Sequence, residues 1–177
     1  MCGRYEFSLK NDNKGRQIKE RAEKMNLVYK EGEIFPSDNV LCIIPKESKI
    51  DLSVMKWGMN RQINARKETI DERYTYDEIK NNRCAVICNG FYEWDTNKDK
   101  YYISFEETYM YLACIFNKDN ELLIITQSSS DDFSQIHDRS PIIMNQDEML
   151  CFLHNEDMLF SRKKLRISKC NEEEKLF

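Results

Sequence analysis

The sequence predicts a single domain of strands and helices with a mostly antiparallel sheet, and three observations support this. The chain has 177 residues, which suits one hydrophobic core. Most apolar residues lie in short runs bounded by polar turn residues, as is typical of strands. The polar turn 117–120 separates two such runs directly, which predicts a hairpin. No apolar run approaches the roughly 18 residues of a membrane span.

In the first half of the chain, apolar runs predict the strands and the spacing of apolar residues predicts the helices. The predicted elements are a strand over 2–7, a helix over 13–25, strands over 40–44 and 50–57, and a helix within 69–80. Ile18, Ala22 and Met25 share one face of the first helix. Pro45 is expected to end the strand predicted over 40–44. Residues 58–69 are polar without clear period, which indicates a loop that carries functional groups.

The second half is richer in apolar runs. Its predicted elements are strands over 84–88, 91–94, 101–105, 109–116, 121–126, 142–144 and 165–168, and helices over 147–153 and 158–163. Asn89-Gly90 is predicted to form a turn between two of these strands. Residues 127–136 form a Ser- and Asp-rich loop with one helical turn, and the acidic end 172–174 is expected to be solvated.

Composition and charge narrow the class of protein. Seven cysteines, an odd number without paired spacing, predict reduced thiols in the core of a cytoplasmic protein, and two histidines give no support for a metal site. Met1 leads into a polar segment, which predicts no secretory signal. The net charge of −4 argues against a general electrostatic nucleic-acid binder, so any such partner needs a local basic groove. We expect a monomer that uses no cofactor, metal or membrane, associated with the nucleoid in a bacterium.

The start of the chain offers an unusual nucleophile. Once Met1 is removed, Cys2 carries both a free α-amine and a thiol, with reference pKa values of roughly 8 and 8.5. Such an aminothiol can attack an amide as a thiolate, or condense with an aldehyde to an imine that the sulfur closes into a thiazolidine ring. Since many chains begin with Met-Cys for no catalytic reason, this dipeptide indicates function only in company with other groups.

Three further polar side chains stand where the local pattern does not require them. Asn64 lies in the polar loop, Glu93 lies between aromatic residues, and His137 follows the Ser- and Asp-rich loop. A carboxyl and an imidazole are common groups for proton transfer, and an amide both donates and accepts hydrogen bonds. Each alone is more simply a surface residue, but together with Cys2 they predict a site.

Four motifs contain these groups. They are Met-Cys-Gly-Arg-Tyr at 1–5, Trp57-Gly58 leading to Asn64-Ala65-Arg66-Lys67-Glu68-Thr69, Arg83-Cys84 with Asn89-Gly90-Phe91-Tyr92-Glu93-Trp94, and Ile136-His137-Asp138-Arg139-Ser140-Pro141. This set, in this order, resembles the SRAP family, the SOS-response-associated peptidases that act on abasic sites. The resemblance covers residues 1 to about 153 of a single domain over 1–177.

The resemblance implies an α+β fold whose antiparallel sheets close toward a barrel. It also implies binding of single-stranded DNA and covalent capture of its abasic sites by Cys2, after self-cleavage removes Met1. By the family's roles, Cys2 is the nucleophile, Asn64 and Glu93 lie beside it, and His137 acts at the opened sugar. The positions implied to contact DNA are Arg4, Arg66 and Arg139 at phosphates, with Pro36 and Trp57 shaping the surface. An exposed Trp57 is expected to stack on a base.

The sequence departs from the family's pattern at three places. Only six residues separate Trp57 from Asn64, where the family usually has a longer loop with its own Pro and Trp. Asn89 stands where an Asp is common, and Ser140 where a Met is common. The last two positions lie beside the reacting groups, so we interpret them as tuning changes.

Two other functions fit the same residues. A cysteine peptidase would use Cys2 against peptide substrates, with His137 or Glu93 as its base. A non-covalent single-stranded-DNA-binding module would keep Met1, because an acylated amine cannot form an imine.

Overall fold

A computed structural model describes residues 2–156 and 165–170 of the chain. The strands are β1 (Tyr5–Phe7), β2 (Gly32–Ile34), β3 (Asn39–Lys46), β4 (Lys49–Trp57), β5 (Asn64–Arg66), β6 (Arg83–Cys88), β7 (Gly90–Trp94), β8 (Lys100–Ser104), β9 (Met110–Phe116), β10 (Glu121–Ser128), β11 (Arg139–Pro141), β12 (Ile143–Met144) and β13 (Arg166–Lys169). The helices are α1 (Asn13–Lys24), α2 (Asp131–Ser134) and α3 (Gln146–Leu153).

These strands form two sheets. One has the order β13-β8-β7-β1-β2 and is antiparallel throughout. In the other sheet, neighbouring strands pair in the order β10-β4-β3-β6-β9. Strand β9 also pairs with β10, so the pairings close a ring. The parallel pairings are those of β10 with β4 and β5. The α+β class, the mostly antiparallel pairing and the closure toward a barrel are confirmed.

One hydrophobic cluster joins the two sheets. On β1 and β7 the side chains of Tyr5, Phe7 and Phe91 are buried, whereas Glu6 and Tyr92, which alternate with them along the strands, are partly exposed. The Tyr5 ring packs against Trp57 of β4, with ring centroids 5.4 Å apart. The five-stranded sheet therefore packs one face on the ring and turns the other toward solvent.

Side-chain caps define where the two longer helices begin. The Asp12 carboxylate accepts a 2.6 Å hydrogen bond from the backbone N–H of Gly15 at the start of α1. Asn145 and Glu148 form a reciprocal capping box at the start of α3. Within the described ranges, no helix is long and apolar enough to cross a membrane.

Three local expectations are wrong. Strand β3 continues through Pro45, because its pairing with β6 ends at Ile43 and the proline lies on an open edge. In place of the helix expected within 69–80, there are 3₁₀ turns over Lys67–Thr69 and Tyr74–Tyr76, since the few buried residues here form no continuous apolar face. At Asn89 the chain passes from the ring to the other sheet, so no hairpin turn forms there. The helix expected over 158–163 and the acidic end lie outside the described residues.

Candidate functional site

Cys2 lies three residues before β1, and its side chain is fully buried. Burial and, after it, the nearby Glu93 carboxylate raise the pKa of the Cys2 thiol well above its ordinary range. The backbone N–H of Arg4 hydrogen-bonds the sulfur and opposes this shift. The thiol is therefore protonated at neutral pH, and it needs a base in order to react as a thiolate.

Asn64 holds the backbone of Cys2. It begins β5, which runs parallel to β10 with Asn64 opposite Ile124. The Nδ2 atom of Asn64 donates a 2.9 Å hydrogen bond to the backbone carbonyl of Cys2. The Oδ1 atom of the same amide is buried and has no hydrogen-bond partner among the described residues. One end of the amide thus fixes residue 2, and the other end is an available acceptor.

Glu93 lies on the inner face of β7 and is only 5% exposed. Strand alternation turns Phe91 and Glu93 inward, and Tyr92 and Trp94 outward. The simpler expectation of a solvated carboxylate on an alternating strand is therefore wrong. The charge of Glu93 raises the pKa of the Cys2 thiol, so the carboxylate lies near enough to act on this thiol electrostatically.

His137 lies in the segment between α2 and β11. Its Nδ1 atom is 2.9 Å from the backbone nitrogen of Arg139, which donates to it, and 2.8 Å from Oδ1 of Asp138. The first contact uses the lone pair of Nδ1, whereas the second is a hydrogen bond only when Nδ1 carries a proton. Helix α2, which precedes this segment, packs on β7 through the Phe133 and Phe91 rings, whose centroids are 5.8 Å apart.

Arg139 faces inward. It forms a bidentate ion pair with Glu68, at 2.8 and 2.9 Å, and its Nη2 atom also donates to the Thr126 carbonyl at 2.8 Å. The hydrogen bonds from Arg139 lower the pKa of Glu68 to about 2. The guanidinium implied to face a phosphate is thus engaged by a carboxylate. Its Nε atom and the Ser129 hydroxyl are buried and have no hydrogen-bond partner in the described part of the chain.

The expectation that Trp57 is exposed for stacking on a base is wrong. Its side chain is fully buried, and its Nε1–H donates a 2.9 Å hydrogen bond to the Ile63 carbonyl. The short segment after it folds back on itself, because Met59 and Gln62 exchange two backbone hydrogen bonds. Trp57 therefore supports the segment that leads to Asn64.

The remaining residues implied to contact DNA lie at the surface. Arg66 is exposed at the end of β5, and Pro36 is partly exposed in the turn after β2. The Arg4 guanidinium lies 4.4 Å from the Phe35 ring and 5.0 Å from the Trp94 ring. Sequence reasoning missed Phe35 as a surface group, although an apolar residue directly before Pro36 and a polar turn is a detectable signal.

Two composition-based expectations concern cysteines and metals. All seven cysteines are free thiols, and Cys42, Cys84, Cys88 and Cys114 are buried with Cys2. Among residues 2–156 and 165–170, no group of three or more His, Cys, Asp or Glu side chains is arranged to hold a metal ion.

Comparison with known proteins places this geometry in context. The model of the family described as SOS response associated peptidase (SRAP) matches residues 1–175. The chain is 26% identical to abasic site processing protein YobE of Bacillus subtilis, over 83% of this chain and 79% of that protein. It is 30% identical to abasic site processing protein HMCES of Xenopus tropicalis, over 55% of this chain and 38% of that protein.

A crystal structure of a protein from Bordetella bronchiseptica has a similar fold. The TM-score is 0.71, with 15% sequence identity, and the match covers 96% of this chain and all of that one. At this identity the likeness concerns the fold alone.

Proposed function

The chain belongs to the SRAP family, and from this premise we propose that it processes abasic sites in single-stranded DNA by capturing them covalently through Cys2 after removal of Met1. The observation that carries the proposal is the convergence of Asn64 and Glu93, distant in sequence, on Cys2. Known relatives named abasic site processing proteins support the choice of substrate. The proposed reaction needs one copy of the chain and no metal or cofactor.

The first step of the proposed reaction uses the amine. An abasic site is in equilibrium with a ring-opened aldehyde, whose C1′ is an electrophile. The α-amine of Cys2 attacks C1′, and loss of one water gives an imine. The free Oδ1 acceptor of Asn64 is suited to hold the amine by one N–H, since the same side chain already fixes the carbonyl of that residue.

The second step uses the thiol. The sulfur adds to the imine carbon, and the thiol proton passes through Glu93 to the imine nitrogen, which closes a thiazolidine ring without an oxidant or reductant. The raised pKa of the Cys2 thiol supports this order, because a protonated thiol is a weak nucleophile and needs the adjacent carboxylate. In this scheme Glu93 moves a proton and forms no bond to carbon.

His137 is proposed to act at the sugar oxygens. Ring opening requires transfer of a proton from one sugar oxygen to another, and imidazole carries out such transfers near neutral pH. The paired contacts of Nδ1, with the Arg139 N–H and with Asp138, let each protonation state of the ring keep one hydrogen bond. His137→Ala is therefore expected to slow capture or its reversal, and to leave the affinity for intact DNA unchanged.

Cleavage between Met1 and Cys2 by the same site is proposed as the source of the free amine, which is consistent with the description of the family as a peptidase. A cysteine peptidase that cuts peptides in trans is the competing activity. It would act equally well with its own amine blocked.

The test compares three forms of the protein on one single-stranded abasic oligonucleotide. The processed protein is expected to give a stable crosslink with the mass of protein plus DNA minus one water. Cys2→Ser keeps the amine and is expected to give only an imine, trapped by borohydride. A form with one residue left before Cys2, whose retention through the assay is checked by intact mass, is expected to give neither product while binding DNA normally. If this blocked form crosslinks as well as the processed protein, the aminothiol mechanism is wrong.

A further inference from the structure

A cavity of about 360 Å³ lies between the helices α1 and α3 and the strands β3, β4 and β9 of the ring. Its apolar lining consists mainly of Ile18, Ile43, Leu52, Tyr111 and Met149. All of these are buried except Ile18, which is partly exposed. Cavities that bind small molecules have volumes of roughly 300–1,000 Å³ and mostly apolar linings with a few polar groups. The cavity therefore has the size and the lining of a small-molecule site.

Lys14 of α1 is a cation of this cavity without an acidic partner. Its ammonium donates a 2.8 Å hydrogen bond to the neutral Oε1 atom of Gln146 and lies 5.1 Å from the Tyr111 ring, and both of these residues line the cavity. No described carboxylate forms an ion pair with this ammonium. Burial lowers the pKa of Lys14, although the charges of Glu107 and Asp12 oppose the shift. A partly desolvated cation beside neutral groups favours the approach of an anion.

The second cation of the lining is already engaged. Arg21 follows Lys14 by seven residues along α1, about 10 Å along the helix axis. It donates to both carboxylate oxygens of Asp51, at 2.8 to 3.0 Å, and Lys46 donates to Asp51 at 3.1 Å. Asp51 is the acidic residue of the lining, and these two cations satisfy it. The charge of Arg21 is thus directed to Asp51, whereas that of Lys14 is available to a ligand.

We propose that this cavity binds a small organic molecule that carries one anionic group on a compact apolar body. The anionic group accepts a hydrogen bond from Lys14 in place of the Gln146 oxygen, and the apolar body packs on Ile18 and Met149. The released Gln146 amide can then donate to the same anion through its NH₂ group. The inference does not rest on the proposed function, because no residue of the Cys2 site lines the cavity.

The lining also indicates which other ligands the cavity disfavours. A nucleic acid strand is held by several cations in sequence, but Lys14 is the one cation of the described lining that is not paired with a carboxylate. A neutral apolar compound would cover Lys14 without providing an acceptor, and a buried cation without a partner costs free energy. The expected specificity is therefore for a single negative charge.

The test uses two fluorescent dyes, anilinonaphthalene sulfonate and phenylnaphthylamine, which differ by the sulfonate group. Fluorescence titration of the folded full chain is expected to show one molecule of the anionic dye bound per chain, with a Kd on the order of tens of micromolar for a ligand of this size. Lys14→Gln is expected to weaken binding of the anionic dye about tenfold, the effect of one hydrogen bond to a charged group, and to leave the neutral dye unaffected. Ile18→Trp is expected to weaken both dyes, because the larger ring occupies the cavity.

Methyl NMR of the chain labelled at its methionines locates the bound dye. The Met149 signal, assigned with Met149→Leu, is expected to shift when the anionic dye is added, since Met149 lies in the buried part of the lining. The matched control is Lys19→Gln on the same helix, because Lys19 is exposed, pairs with Glu23 at 3.9 Å and does not line the cavity. It is expected to change the affinity for neither dye.

Three outcomes would overturn the proposal. They are an unchanged Met149 signal, an equal loss of affinity for both dyes in Lys14→Gln, and an equal effect of Lys14→Gln and Lys19→Gln on the anionic dye. An unchanged Met149 signal with a dye bound would mean that the dye occupies another surface. Crosslinking of abasic DNA is a separate assay, so failure of this site and failure of the proposed function are distinguishable.

Discussion

The side-chain amide of Asn64 donates a 2.9 Å hydrogen bond to the backbone carbonyl of Cys2. Through this bond the parallel pairing of β5 with β10 helps to determine where Cys2 lies, because the register of Asn64 with Ile124 fixes the amide. The site is thus positioned by the ring, whereas Glu93 comes from the other sheet. Reaction geometry depends on how the two sheets pack.

Asn64→Ala is expected to slow crosslinking of abasic DNA between about twofold and tenfold, because one hydrogen bond contributes about 0.5–1.5 kcal/mol. Single-turnover crosslinking with DNA in excess measures this rate. Affinity for intact DNA should not change, since the bond acts within the protein. An unaltered crosslinking rate would show that this bond does not position the nucleophile.

Glu93→Gln is expected to separate the two chemical steps. The amide has nearly the same shape but cannot move a proton, so ring closure should slow by on the order of a hundredfold, while the borohydride-trapped imine still forms. Loss of the carboxylate also lowers the pKa of the Cys2 thiol, because Glu93 raises it. Thiol alkylation should therefore begin at lower pH in the variant. Equal slowing of imine and ring formation would contradict a role limited to the second step.

The Glu68–Arg139 pair is expected to contribute to stability in a pH-dependent way. The pKa of Glu68 is about 2, below the roughly 4.3 of an unfolded glutamate, because Arg139 donates hydrogen bonds to it. A depressed pKa adds stability above the unfolded value, and this stability is lost as the pH falls toward 2. The free energy of unfolding should thus fall less steeply with acid in Glu68→Gln than in the unaltered protein, as measured by urea unfolding between pH 5 and pH 2.5.

The double variant Glu68→Gln with Arg139→Gln is the control for this effect. If the pair acts as one unit, the double variant should lose less stability at neutral pH than the sum of the single changes. Parallel acid curves for Glu68→Gln and the unaltered protein would show that the pair does not couple to folding.

Gly90→Ala is expected to destabilise the five-stranded sheet. A Cβ atom at this position would meet the Tyr102 ring and lie 2.7 Å from the Ile103 carbonyl, and the backbone oxygen cannot move aside easily. Overpacking of this kind costs about 1–3 kcal/mol, which thermal or urea unfolding can resolve. Ser104→Ala, directly opposite Gly90 in register, is the control and should change stability by less than about 0.5 kcal/mol.

The long apolar strands could be predicted from the sequence, since alternation and turn residues are local signals. Strand β5 could not, because Asn64–Arg66 is short and polar and becomes a strand only by pairing with β10, about sixty residues later. Likewise, Pro45 is acceptable within β3 only because β6 stops pairing before it. Both outcomes depend on contacts between distant parts of the chain, which periodicity does not contain.

In the candidate site, too, some features could be predicted from the sequence and others depend on contacts between distant parts of the chain. The grouping of Asn64 with Cys2 could be predicted from their motifs and agrees with the hydrogen bond between them, whereas the chemistry of Cys2, Asn64 and Glu93 stays a prediction. The inward orientation of Arg139 could not, since choosing between Glu68 and an external phosphate requires knowing where β11 lies against β10. The burial of Trp57 also follows from packing, here against Tyr5 of the other sheet.

Neither of two contacts that hold Cys2 involves Met1, because Asn64 binds the Cys2 carbonyl and the Arg4 N–H binds the Cys2 sulfur. Chain ends ordinarily fray, and a nucleophile on a frayed end samples many useless positions. Here β1 begins three residues after Cys2 and is paired on both sides. A chain that begins at Cys2 is therefore expected to hold this residue in few conformations. In the proposed reaction, the entropy cost of aligning amine and thiol is therefore met when the protein folds, and the encounter with DNA needs to orient only the aldehyde.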